Sequence, residues 1–141
     1  MIKFYNGDDI KNQNSNLTIK GIAFSGDTSS VTLGRYKETV IAYVNTSCNV
    51  CEEEIKDLLK IGDSTNIEVL ILSTENYMDL KNNIHRKEQS KNLQILSISS
   101  EVAKKFNFNE YPHFLFYKNG ILVKEHKGKI NAPVYIKNIF G

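Results

Sequence analysis

Cys48 and Cys51 are the only cysteines in a chain of 141 residues, two residues apart in the stretch VNTSCNVCEEE, residues 44–54. A pair at this spacing supports three readings: a working dithiol, half of a metal site, or two small apolar residues of a core. The flanking sequence favours the first. The β-prone run TVIAYV (39–44) leads into the pair as a strand buried on both faces. Val50, Ile55, Leu58, Leu59 and Ile61 then recur at helical spacing. Chemistry in open α/β sheets collects at the carboxyl ends of strands. Cys48 would lie at the helix N-terminus, where unpaired N–H groups and the positive dipole end favour a thiolate. Cys51, one turn on and on the same side, could attack a mixed disulfide formed at Cys48. Cys48 is the expected nucleophile and Cys51 the resolving thiol. Two inert core cysteines are the alternative, since unpaired cysteine is among the most buried residue types.

A metal site is the weaker reading. Zinc takes about four ligands, the pair supplies two, and His85, His113 and His126 are single and widely separated. No metal and no bound cofactor are expected. Glu52, Glu53 and Glu54 follow Cys51 directly. Their negative charge opposes the helix dipole and leans toward a reducing or neutral poise rather than a strong oxidant. Pro112 is one of two prolines and opens an expected strand, where proline is tolerated or marks a cis turn. His113 beside it reads either as a proton carrier near the dithiol or as a structural histidine. His85 and His126 read as surface residues.

The elements that must position these residues alternate. Residues 1–20, rich in Asn, Lys and Asp, read as an extended leader to one domain over 21–141. Ile22-Ala23-Phe24 and Val31-Thr32-Leu33 form an expected hairpin around Gly26-Asp27. After strand 39–44 comes the cysteine helix, which Gly62 should end. A strand over 67–73 follows, then a helix capped by Thr74 with Tyr77, Leu80 and Ile84 inward. A strand over 92–98 leads to a short helix in SSEVAKKFN (99–107), with Val102, Ala103 and Phe106 inward. HFLFYKNGILVKEH (113–126) is a hairpin turning at Asn119-Gly120. An amphipathic helix over 133–140 carries Val134, Ile136, Ile139 and Phe140. This order predicts an α/β fold: a central mixed β-sheet flanked by helices, with an extra N-terminal β-hairpin.

Composition narrows the partners. Hydrophobic content of 40% and charged content of 24% suit a globular chain. A net charge of +2 without a Lys/Arg run argues against nucleic-acid binding. No apolar run approaches the roughly 18 residues of a membrane span, so no integral membrane segment is expected. No signal peptide is visible, and a monomer is expected.

The dithiol after a buried strand, together with the Pro112 block, resembles the thioredoxin-like superfamily. The closest match is to the TlpA/ResA-like (AhpC/TSA-related) thiol-disulfide oxidoreductases. VTLGRYKETVIAYVNTSCNVCEEEI (31–55) and VAKKFNFNEYPHFLFYKNGILVKEHKG (102–128) carry the resemblance. It implies a thioredoxin-like fold with a cis-proline at Pro112 packed beside the cysteines, and Tyr111 supplying a substrate-facing peptide group. Ser47, Asn49 and Val50 would complete the substrate rim. It also implies protein disulfide or dithiol substrates and an upstream thiol reductant. The implied setting is extracytoplasmic, periplasmic or membrane-anchored on the outer side.

Several residues depart from the pattern. Family members usually have Trp before the first cysteine; here it is Ser47, and the chain has no Trp. Asn49-Val50 stands where Pro is common. Thioredoxin proper has a buried Asp six residues before its first cysteine, and Ala42 occupies that position. TlpA/ResA-like proteins carry a Glu three residues after the second cysteine, and Glu54 matches it. The resemblance thus implies that Glu54 assists proton removal from Cys51; a first-turn acid at the helix N-terminus is the alternative. Two rival functions remain. A peroxiredoxin-like peroxide reductase would use Thr46 ahead of Cys48, but no Pro precedes it. A non-catalytic binding module would explain the missing Trp and the unusual dipeptide.

Overall fold

The computed structural model describes residues 17–86 and 91–141, so residues 1–16 of the expected leader lie outside the described residues. In chain order the elements are β1 (Thr18–Ile22), β2 (Thr28–Thr32), β3 (Glu38–Tyr43), α1 (Asn49–Ser64), β4 (Glu68–Ser73) and α2 (Tyr77–Asn83). They continue with β5 (Leu93–Ser97), α3 (Ser100–Lys105), β6 (His113–Lys118), β7 (Ile121–Lys127) and α4 (Ala132–Phe140). The strands form one sheet in the order β2-β1-β5-β4-β3-β6-β7. β3, β4 and β5 run parallel in the middle, and an antiparallel hairpin closes each edge. This is the expected α/β architecture, N-terminal hairpin included.

The apolar runs account for the layering. Every residue of β4, EVLILS, is buried, as befits a central strand covered on both faces. Val40, Ala42, Ile71, Phe114 and Phe116 pack under α1, α2 and α4, whereas Ile41, Tyr43, Leu70, Leu72 and Leu115 pack under α3. The β6–β7 turn is the two-residue kind. Lys118 pairs with Ile121, and Asn119 and Gly120 take φ of 51° and 81°, the left-handed geometry such a turn requires. No described helix is long and apolar enough to cross a membrane.

Four local expectations shift. The first strand begins at Thr18 rather than Ile22, with Leu17 and Ile19 facing inward, while Ala23-Phe24 lies in the connecting loop. Gly21 permits the close crossing of β1 over β5, because a Cβ there would sit 2.7 Å from the Ser97 carbonyl oxygen. Gly62 does not end α1; it is buried within the helix against Leu93, and Thr65 caps the end. Asn76, not Thr74, caps α2 by accepting from the Met78 N–H at 2.8 Å. Val134 faces solvent, and Asn131 caps α4.

Asn92 ties the far end of α1 to the sheet. Its Nδ2 donates to the carbonyls of Gly62 (2.7 Å), Thr65 (2.9 Å) and Ile67 (2.9 Å). Asn92→Ala leaves the partly buried Gly62 and Ile67 carbonyls short of a donor. It is expected to lose about 2 kcal/mol, lowering Tm by roughly 6 °C in thermal denaturation. An unchanged Tm would mean that water replaces the amide without loss.

Candidate active site

After β3 the chain leaves the sheet through one last pairing, the Val44 N–H donating to the Leu72 carbonyl at 2.9 Å. It then turns tightly. Asn45 Oδ1 accepts from the Ser47 N–H (2.9 Å) and Ser47 Oγ (2.5 Å), and the Asn45 carbonyl accepts from the Cys48 N–H (3.0 Å). Cys48 ends the turn as the N-cap of α1, with extended backbone. Its Sγ accepts from the Cys51 N–H at 3.3 Å, the role a Ser or Asp oxygen plays at most helix starts. A sulfur held there faces the N–H groups and the positive end of the helix dipole.

The two thiols are free and differ in access: Cys48 is half-buried, Cys51 fully buried. Burial above all pushes the Cys51 thiol up to about 12. The Asn45 backbone amide pulls it down, while Cys48 and Glu54 push it further up. A disulfide approaching from solvent therefore meets Cys48 first.

Glu54 lies one turn beyond Cys51, also facing inward at 1% exposure. Its Oε2 accepts the Ile130 N–H at 2.7 Å, tying α1 to the segment that leads into α4. Burial raises its carboxyl above the ordinary range, and the Ile130 N–H partly offsets this. The first-turn acid of α1 is Glu52 instead. Glu52 and Glu53 are exposed, 3.8 Å from Lys56 and 4.0 Å from Lys129. Their charge is solvated and weakly paired, so the acidic run reaches the buried thiol chiefly through Glu54. Ala42 is a fully buried core residue. The other buried glutamate, Glu68, bonds Thr39 at the opposite end of β4 from the cysteines.

Strand pairing brings the second block to the same end of the sheet. Tyr43 pairs with His113, so Pro112 is aligned with Val44, where the cysteine loop departs. The Tyr111–Pro112 peptide is cis, and the Pro112 carbonyl accepts from the Gly128 N–H at 2.8 Å. Tyr111 is 45% exposed, with its ring 5.5 Å from that of Tyr43. Ser47, Asn49 and Val50 are exposed on either side of Cys48. The fold thus leaves a reachable sulfur within an open rim of small, polar and apolar groups.

The histidines take no part in it. His113 is fully buried among Tyr43 and Phe108, on the sheet face opposite Cys51, with Nε2 2.6 Å from Glu125 Oε2. It is a structural histidine. His126 is half-buried rather than on the surface, between the Tyr135 hydroxyl and the Lys129 carbonyl, each 3.3 Å away. His85 is exposed.

Sequence reading missed one polar anchor. Glu75, just past β4, accepts from both the backbone N–H and the hydroxyl of Thr46. An acid at the carboxyl end of the strand beside the cysteine strand was the available signal. A groove of about 720 Å³ opens next to this contact between α1 and α2, with Thr46, Ser47, Ile55, Leu59, Glu75 and Ile84 in its walls.

No family model and no curated protein matches the chain. Solved structures do. The chain is similar to the exposed lipoprotein thioredoxin of Streptococcus pneumoniae at 20% identity, covering 88% of this chain and 98% of that one with a TM-score of 0.65. A thiol:disulfide interchange protein of the thioredoxin family from Chlorobium tepidum matches at 14% identity, 90% and 94% coverage, and TM-score 0.72. A peroxiredoxin-like protein from Aquifex aeolicus matches at 12% identity, 90% and 84% coverage, and TM-score 0.70. The sheet order, the helix that begins at Cys48 and these likenesses agree: the chain has the thioredoxin-like fold.

Proposed function

We propose that the protein is a thiol-disulfide oxidoreductase that reduces or exchanges protein disulfides through Cys48 and Cys51. One observation carries the reading: a half-exposed sulfur caps a helix N-terminus, and a second, buried thiol follows it by one turn. The Cys48 thiolate attacks a substrate disulfide, forming a mixed disulfide and releasing one substrate thiolate, which takes a proton from water. Cys51, deprotonated with help from Glu54, then attacks the Cys48 sulfur. The Cys48–Cys51 bond forms, the second substrate thiolate leaves, and two electrons have passed to the substrate. An upstream dithiol reverses the sequence to restore the reduced enzyme. Pro112, Tyr111, Ser47, Asn49 and Val50 form the rim that receives the substrate chain. An extracytoplasmic setting is supported by the likeness to an exposed lipoprotein.

Turnover of insulin disulfides with dithiothreitol tests the reading. Wild type is expected to accelerate it and Cys48→Ser to fall to the uncatalysed rate. No activity in either protein would favour a binding module with an idle dithiol, and thiol-dependent consumption of peroxide would favour a peroxiredoxin-like activity.

A further inference from the structure

We propose that Glu75 is the positioning residue of the dithiol, holding the loop that carries Cys48 at the distance the resolving step needs. The inference deepens the oxidoreductase reading and rests on it. Cys51 is fixed by α1 and by the core around it, but Cys48 depends on the loop after β3. Within that loop the Thr46 N–H lies 2.9 and 3.2 Å from the two carboxyl oxygens of Glu75, and Thr46 Oγ lies 2.7 and 2.9 Å from them. Hydrogen bonds to a carboxylate are the stronger kind. Asn83 Nδ2 donates to the same hydroxyl at 2.9 Å, so α2 braces the contact from behind.

Glu75 is itself held at both ends of its backbone. Its N–H donates to Ser73 Oγ at 3.1 Å, and its carbonyl accepts from Ser97 Oγ at 2.5 Å. A polar chain therefore runs across the carboxyl ends of the three parallel strands: Ser97 from β5, Ser73 from β4 with Glu75 just past it, then Thr46 beyond β3. It ends two residues before Cys48. On its outer side Thr46 and Ser47 border the open groove.

The chemistry explains why such a clasp matters. In the resolving step the Cys51 thiolate attacks the Cys48 sulfur in line with the bond to the departing substrate sulfur. The Cys48–Cys51 bond forms as that bond breaks, and the substrate thiolate is protonated by water. Three sulfurs must align, and a misplacement of about 1 Å can cost up to roughly a hundredfold. Cutting the clasp loosens the loop that sets the position of Cys48 while leaving Cys51 in its core site.

The test reacts the reduced full chain with a chromogenic aromatic disulfide, which marks Cys48 and releases one thiol. Displacement by Cys51 then releases a second, timed by stopped-flow absorbance. The equilibrium constant for the Cys48–Cys51 disulfide against glutathione is measured alongside. Glu75→Ala and Thr46→Val are expected to slow the second release by roughly tenfold or more and to lower the equilibrium constant in step. Thr46→Ser, which keeps the hydroxyl, should stay within about twofold of wild type on both. A merely structural clasp would change Tm and leave both readouts alone. Wild-type values in Glu75→Ala, or in Thr46→Val should Glu75→Ala not fold, would overturn the proposal while the oxidoreductase reading stands. If wild type releases no second thiol, that reading fails and the clasp falls with it.

Discussion

Cys51→Ser is expected to accumulate a covalent complex with its protein substrate, while Cys48→Ser accumulates none. The variant keeps the half-exposed sulfur at the helix N-cap, so Cys48 still attacks. What it loses is the intramolecular thiol. Effective molarities of well-oriented neighbouring groups are very large, so release by an external thiol at millimolar concentration should be slower by at least roughly a thousandfold. Non-reducing electrophoresis before and after dithiothreitol reads the complex, and mass spectrometry locates the bond at Cys48. Complexes of equal yield in Cys48→Ser would remove Cys48 from the role of nucleophile. The wild-type resolving step should also carry a pH signature. In the reduced protein Cys51 is pushed up to about 12, first by burial and in smaller part by its hydrogen bond to Cys48 and the Cys48 charge. Both Cys48 contributions weaken once that sulfur is tied in a mixed disulfide, but burial stays. The Cys51 thiol then still sits above an ordinary one, so near pH 7 its proton must be drawn off by a base, and hydroxide takes it faster as pH rises. The second thiol release should therefore accelerate steadily from pH 7 into the alkaline range.

Much of this site was legible in the chain because its signals are local. The apolar run before Cys48 gave β3, the helical spacing after it gave α1, and Asn119-Gly120 gave a turn whose dihedrals only such residues adopt readily. Where prediction slipped, a distant contact overrode a local rule. Gly62 reads as a helix stop, but Leu93 packs so close to it that the missing side chain serves the helix–sheet contact instead. Thr74 reads as a cap, but its hydroxyl faces that of Tyr43 at 3.4 Å, and Asn76 caps α2. Glu54 stood out by its match to the TlpA/ResA-like pattern, yet its bond to Ile130, 76 residues away, could not be read from the sequence. Glu75 carried a local signal, an acid at a strand's carboxyl end, but its partners were hidden for the same reason. Its meaning depends on three strand ends meeting, and only the sheet order brings Ser97, Ser73 and Thr46 to one acid.

Glu54→Gln should separate two consequences of that buried carboxyl, with opposite signs. Gln keeps the shape and an oxygen that can accept the Ile130 N–H, so the tie between α1 and the α4 approach is preserved. It cannot take a proton. The charge lost with Glu54 is also the smallest of the influences raising Cys51, so its removal lowers that thiol only slightly. Loss of the proton acceptor outweighs it, and the second thiol release should slow by roughly tenfold to a hundredfold near pH 7. A wild-type rate in the variant would leave Glu54 with the Ile130 tie as its only role. Stability moves the other way. Burial raises the folded-state pKa of Glu54 above its unfolded value, so as pH rises the unfolded chain loses this proton first. The site's contribution is thus fully present below about pH 4, the unfolded carboxyl value, and is lost as pH climbs through the folded value. Glu68, raised by the same cause, titrates in both proteins and drops out of the difference. Thermal denaturation at intervals from pH 4 to 8 should show wild type losing more Tm toward the alkaline end than Glu54→Gln does. Parallel curves would mean that Glu54 titrates alike in the folded and unfolded chain. A carboxyl kept in the core at a cost in neutral-pH stability, one turn from Cys51, is what the proposed proton transfer predicts and a purely structural tie does not, because Gln could serve the tie at less cost.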